Sequence, residues 1–250
     1  MDRPRLKNVE KYEPLYPLNK FPGGFAVELG KETIYLLATR GTPRLEGSDW
    51  EEIFARLIGA NWKPSNVGLN DVVYEQMAWG AKTVKDKNPS KATQIRLISG
   101  RNSPVYSYGD QKVSDREPNE LGRKVLSIWN ERVASVRKFY KHLRTGVLIK
   151  SDDLLELSVY EVDTIMYQLE DYQWQWNKNN NLEGLDKSGV QVFTWQPHGS
   201  QFTIREEEAP PDRLAIRIKQ PPVMQRTDVL TGIKFDESWI ENIPSGHPEP

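Results

Sequence analysis

Between residues 119 and 143 apolar side chains recur at three- and four-residue steps. They are Leu121, Val125, Ile128, Trp129, Val133, Val136, Tyr140 and Leu143. That spacing lays one continuous apolar stripe along a helix, which must be buried against something broad. Pro118 and Asn119 supply its start and Gly146 its stop, so a helix over 119–143 is expected. The segments around it alternate with the two-residue period of strands: Asn70–Glu75, Trp79–Val84 and Gln94–Ile98 before it, Val147–Lys150 and Leu157–Asp163 after it. One long amphipathic helix set among short strands predicts a mixed α/β (α+β) chain with helix packed on sheet.

A second helix is expected at 48–59. Ser48 with Glu51 three residues on spells a capping box, and Trp50, Ile53, Phe54, Leu57 and Ile58 form its buried stripe. Glu51 falls at the edge of that stripe, facing a neighbouring sheet edge, and Glu52 on the opposite side. Residues 1–24, with Pro4, Pro14, Pro17 and Pro22, read as an extended arm ending at Gly23-Gly24. Phe25–Leu29 and Thr33–Thr39 flank Gly30-Lys31-Glu32 and predict a hairpin. After residue 150 the pattern is mostly β. Gln173–Lys178 and Val190–Trp195 lie on either side of an Asn-rich loop, 177–184. Gln201–Arg205 and Arg213–Lys219 follow, separated by an acidic turn. A short helix is expected at Ile233–Ile243, and a frayed end at 244–250. The organisation is thus an arm and hairpin (1–47), a core (48–150) and a β-rich extension (151–250), within one compact unit.

The chain has no cysteine, which excludes disulfides, zinc–thiolate sites and thiol nucleophiles. Its three histidines, 142, 198 and 247, argue against a His-rich metal site. No Walker, dinucleotide-binding or zinc spacing occurs, and no nucleophile elbow surrounds His198. No apolar run approaches the ~20 residues of a spanning helix, and the first residues lead into no apolar stretch, so no membrane association and a cytoplasmic location are expected. Net charge is −1, but it is unevenly spread. Residues 82–144 hold fifteen Lys/Arg against six Asp/Glu, and residues 151–212 hold three against thirteen. A basic middle beside an acidic later third predicts either a phosphate-facing groove or an internal match between layers.

The chemistry centres on Asp71 and Lys82, on adjacent strands of a tight hairpin. An acid and an amine so placed could hold a divalent cation and steer a water at a phosphodiester. The order helix 48–59, strands 70–75, 79–84 and 94–98, helix 119–143, strand 147–150 is αβββαβ. On this order and on Asp71 and Lys82, residues 48–150 resemble the PD-(D/E)XK nuclease superfamily, which includes many type II restriction endonucleases. The resemblance implies a restriction-endonuclease-like core, Mg2+ as cofactor, double-stranded DNA as substrate, sequence-specific phosphodiester hydrolysis, and a homodimer that cuts both strands. It matches Asp71 to the first-strand acid and Lys82 to the lysine of acidic-X-Lys, which here reads Gly80-Ala81-Lys82. Asn70 stands where that family has Pro. With Gly80 in the acid's place, the second metal carboxylate would come from the first helix, with Glu51 as first choice and Glu52 next. Lys85, Lys87 and Lys91 in the basic turn and Arg101, Asn102 and Ser103 in the following loop are candidates for phosphate or base contacts. Asn177, Asn179, Asn180, His198 and Gln201 in the β-rich region are candidates for base reading, since amides pair bidentately with adenine. Two other classes remain open: a noncatalytic nucleic-acid-binding protein on a degenerate nuclease fold, and a protein-interaction module that docks through its charge split.

Overall fold

The computed structural model describes residues 12–64, 68–110, 113, 116–206 and 209–241. The chain is mixed α and β: five α-helices and two sheets among those residues. Its helices are α1 (Phe25–Arg40), α2 (Gly47–Ile58), α3 (Pro104–Tyr108), α4 (Pro118–Arg137) and α5 (Arg226–Gly232). The strands are β1 (Asn61–Trp62), β2 (Val72–Tyr74), β3 (Met77–Lys85), β4 (Ile95–Arg101), β5 (His142–Lys150), β6 (Glu156–Asp163), β7 (Gln173–Trp176), β8 (Leu182–Leu185), β9 (Gln191–Gln196), β10 (Gln201–Glu206) and β11 (Leu214–Arg217).

Six strands form one sheet in the order β1-β2-β3-β5-β6-β11, and five form another in the order β4-β10-β9-β8-β7. In the first sheet β3 and β5 run parallel, joined by the crossover that carries β4, α3 and α4. The other pairings are antiparallel. One face of this sheet is covered by α1 and α2, with Trp50, Phe54, Trp79, Leu148 and Leu157 in the shared core. The opposite face meets α4, through Ala78 and Leu143, and the second sheet. Covered on both sides, β5 is buried from Leu143 to Lys150, as parallel-paired central strands are. The second sheet turns Trp174, Phe193, Trp195, Phe202 and Ile204 toward α4.

Several sequence expectations are corrected. Phe25–Thr39 is helix α1, not a hairpin. Phe25, Leu29, Thr33, Leu36 and Leu37 are its buried residues, at helical spacing, and Gly30 lies inside the helix rather than at a turn. The strand at 94–98 exists but pairs with β10 in the second sheet, not with the β2–β3 hairpin. The long helix ends at Arg137, and β5 starts at His142. A strand, β8, forms within the stretch expected as an Asn-rich loop. The last helix is α5, ahead of residues 233–243; only a single 3-10 turn, Glu237–Trp239, lies in that stretch, and 242–250 fall outside the described residues. So do 1–11 of the arm and 207–208 of the acidic turn. Residues 12–21 are tied down by Glu161, whose carboxylate accepts from Tyr16 Oη at 2.8 Å, Trp79 Nε1 at 2.6 Å and Arg144 Nη1 at 3.2 Å. No helix among the described residues is long and apolar enough to cross a membrane.

Part of the charge split is answered internally. Lys85 pairs with Asp152 at 3.0 Å, and Arg144 with Glu161 and, at 3.9 Å, with Asp163. Arg123, Lys124, Arg132, Arg137, Lys138, Lys141 and Arg144, which from sequence alone read as one basic outer face of the long helix, are divided likewise. Lys124 bonds Asp110, Arg137 donates to the Thr164 carbonyl and Arg144 is buried in β5.

Candidate functional site

The site forms where β3 outruns its neighbour. β2 pairs with β3 only from Val72↔Trp79 to Tyr74↔Met77, so Asp71 stands at the strand end, level with Gly80. The chain before it leaves the sheet, anchored by the Lys63 N–H donating to the Asp71 carbonyl at 2.7 Å. On the way, residues 68–69 pass over the face of β3 at Gly80. A Cβ at Gly80 would lie 2.9 Å from Gly68 O and 3.2 Å from Leu69 Cα, closer than packed atoms tolerate. The absence of an acid at position 80 therefore has a local cause: backbone occupies the space a side chain would need. Lys82, two residues on and on the same face, donates from Nζ to Gly68 O at 3.0 Å.

Glu51 arrives from α2. The helix is capped differently from expectation. Its N-cap is Glu46, whose N–H donates to the Asp49 carboxylate at 2.7 Å, so Glu51 has no capping duty. Its carboxylate instead accepts from Trp62 Nε1 at 3.2 Å, at the sheet edge. Burial raises the Glu51 carboxyl above its ordinary value; the Trp62 bond opposes this, and the negative charge of Asp71 adds to it. Glu52 does not join the site; it is exposed and pairs with Arg56 at 2.7 Å.

Lys82 completes the group. Burial lowers its proton affinity, while Asp71 and Glu51 pull it back up. Each of the three thus lies within reach of the others' charge. Asp71 is 2% exposed and Glu51 half-buried, so these interactions act in a low-dielectric setting where they are strong.

Arg132 is the member that sequence reasoning placed on the outer face of α4. It points inward, donating from Nη1 to Ser99 O and to Asn102 Oδ1, each at 3.0 Å. Gly100, at φ +122°, makes room for it, since a Cβ there would sit 2.5 Å from Nη2. Burial lowers the Arg132 pKa, and the charge of Asp71 opposes that. Its signal was present in the spacing: Val125, Trp129, Arg132 and Val136 share one helical stripe.

The other candidates fall at two ends of the second sheet. Lys87 and Lys91 are exposed in the turn between β3 and β4, beside Lys85. Arg101, Asn102, Ser103, Asn177, Asn179, Asn180, His198 and Gln201 gather at the opposite end. The register there runs Arg101↔Gln201↔Gln196 across three strands. Arg101, Asn179, Asn180 and His198 are exposed. Asn102 is not a surface reader: it is fully buried, donating from Nδ2 to Val125 O at 3.0 Å and accepting from Arg132. Ser103 caps α3. Asn177 builds its own turn, accepting from the Asn179 and Asn181 N–H groups and donating to Glu183.

Asp71 and Glu51 are hard oxygen donors, and their mutual repulsion is the kind a divalent cation relieves. Among the described residues no group of three or more His, Asp or Glu side chains could hold a metal. Two carboxylates fit Mg2+, which keeps waters and substrate oxygens in its remaining positions. No protein-family model, curated protein or solved structure matches this chain.

Proposed function

We propose that the chain is a Mg2+-dependent endonuclease that hydrolyses double-stranded DNA, of the restriction-endonuclease kind suggested by the PD-(D/E)XK resemblance. The observation that carries the reading is the gathering of Glu51, Asp71 and Lys82 where β2 stops short of β3. Asp71 and Glu51 would hold the cation. When bound, Mg2+ supplies positive charge to a phosphate and lowers the pKa of a coordinated water. Lys82, steadied by Gly68 O and made less basic by burial, donates a hydrogen bond to the attacking water or the phosphate. Arg132, fixed by Ser99 and Asn102, offsets charge that builds on phosphorus. The second sheet reads sequence, and two copies of the chain cut the two strands.

Plasmid cleavage with Mg2+ tests this. Wild type should cut, and Asp71→Ala and Lys82→Ala should each lose on the order of 10²-fold or more in rate. Equal cutting by the variants refutes the site, and no cutting by wild type refutes the enzyme. A second reading, a noncatalytic DNA-binding protein, draws on Gly80: β3 offers no carboxylate of its own to the site. It predicts binding that weakens steeply with salt and no cleavage.

A further inference from the structure

At the end of the second sheet that carries Arg101 and His198 there is an open cavity of about 620 Å³, lined by Trp176, Asn179, Asn180, Asn181, Pro197 and His198. Its walls are unusual in what they leave unused. Trp174, two residues before Trp176 on β7, is buried and stacked on Phe193 at 5.7 Å. Trp176, the last residue of β7, shares that face and packs against the same core cluster. It is only partly buried and stacks on no aromatic ring among the described residues. The loop beside it is held by Asn177 alone, through the Asn179 and Asn181 N–H groups and the Glu183 carboxylate. The side-chain amides of Asn179, Asn180 and Asn181 and the imidazole of His198 are consequently not engaged by any described residue. The cavity therefore presents one aromatic face, several amide donors and acceptors, an imidazole, and no formal charge.

We propose that this cavity binds a single nucleobase, unstacked from its strand. The base stacks on Trp176, and Asn179, Asn180, Asn181 and His198 hydrogen-bond its edge. Each feature matches a property of that ligand. A heteroaromatic ring stacks on an indole, and amides match the paired donors and acceptors of a base edge. Positive charge lies along the same sheet end: Arg101 stands two strand spacings, about 10 Å, from Gln196, the residue before Pro197 in the cavity wall. The cavity is also tied to the charged cluster. Asn102 donates its N–H to Ser200 O at 2.8 Å and accepts at its carbonyl from Trp195 Nε1 at 2.7 Å, while its side chain holds Arg132. The inference rests on the nucleic-acid reading of the chain for its natural ligand, but not on any cleavage chemistry.

The test is an NMR titration of the full chain, read at the indole N–H of Trp176, assigned as the signal lost in Trp176→Phe. The probes are the four deoxynucleoside monophosphates, deoxyribose 5-phosphate and a neutral disaccharide. At least one nucleotide should produce a saturable shift. Asn180→Ala and His198→Ala, both at exposed positions, should weaken that binding by roughly fivefold or more. Asp71→Ala should leave it unchanged. Binding of a single-stranded tetranucleotide tighter than the monomer supports a base presented by a strand; binding no tighter supports a free nucleotide as the source. No shift with any nucleotide, an equal shift with deoxyribose 5-phosphate, or a shift with the disaccharide alone overturns the proposal. Cleavage is measured separately, so a chain that cuts no DNA yet shifts with nucleotide refutes the enzyme and keeps the cavity.

Discussion

Replacing Gly80 by alanine tests whether the 68–69 backbone truly excludes a side chain from the site. In a strand the change should be mildly favourable, because glycine is the more flexible residue in the unfolded chain. Here the new methyl carbon would meet Gly68 O at 2.9 Å and Leu69 Cα at 3.2 Å. Neither is the tip of a flexible side chain, so the backbone itself must move. Overpacking of this sort costs about 1–3 kcal/mol, which for a domain of this size lowers Tm by about 2–12 °C. The same displacement pulls Gly68 O from Lys82 and shifts the segment that delivers Asp71, so cleavage falls with stability. Gly30→Ala is the matched control. Gly30 lies inside α1, and nothing lies within 4 Å of its Cβ position, so that variant should gain about 0.5–1 kcal/mol. Differential scanning calorimetry on the three proteins reads both effects. The reasoning fails if Gly80→Ala melts at or above wild type. It fails equally if Gly80→Asp, which spells acidic-X-Lys in full, proves stable and cuts faster.

Two further outcomes follow from buried charge. The Glu51 carboxyl titrates above its ordinary value of 4.5; its contribution to stability is therefore full below that value and is lost as pH rises through the higher folded one. Without divalent cations, Glu51→Gln should flatten this decline and melt above wild type near neutral pH; if the pair holds Mg2+ as proposed, wild type should gain Tm with Mg2+ and the variant should not. Melts over pH 4–8, with and without Mg2+, check both, and a variant that tracks wild type throughout contradicts the placement. At Glu161, substitution by Gln leaves the guanidinium of Arg144, itself 5% exposed, without its buried counter-charge, with only the exposed Asp163 carboxylate at 3.9 Å. Urea unfolding should show a loss of about 3–5 kcal/mol at unchanged slope, and an unmoved midpoint would falsify the account of that network.

The parts of this fold that could be read from sequence are those where local pattern and burial agree. The α2 and α4 stripes and the β2–β3 hairpin are of this kind. Phe25–Thr39 went astray because Gly30-Lys31-Glu32 between β-branched and aromatic residues looks like a turn between strands. Its burial nonetheless follows helical spacing through Leu29, Thr33 and Leu36. The end of α4 was overrun because Tyr140, in the turn after the helix, and Leu143, already in β5, happen to continue the helical step. The sheet that β4 joins was not legible at all. Ile95, Leu97 and Ser99 alternate into the interior in the same way whichever partner they find. At the site, Asp71 and Lys82 were visible as a pair. Glu51 was singled out beside them from its place at the edge of the α2 stripe, but the cap assigned to it with Ser48 is formed by Glu46 and Asp49 instead. Arg132 was missed because a charged residue on an apolar stripe was assigned to solvent.

Asn102 makes contact with a helix, a turn and a strand at once: Val125 and Arg132 on α4, Ser200 before β10, and Trp195 on β9. A joint fastened on so many sides has no slack. The spacing between the acidic–basic cluster and the amide-lined hollow is then a fixed gauge of the molecule, set by one residue rather than by a hinge. Any polymer lying across both is measured against that gauge, and shifting its register by one unit would require rebuilding the end of β4.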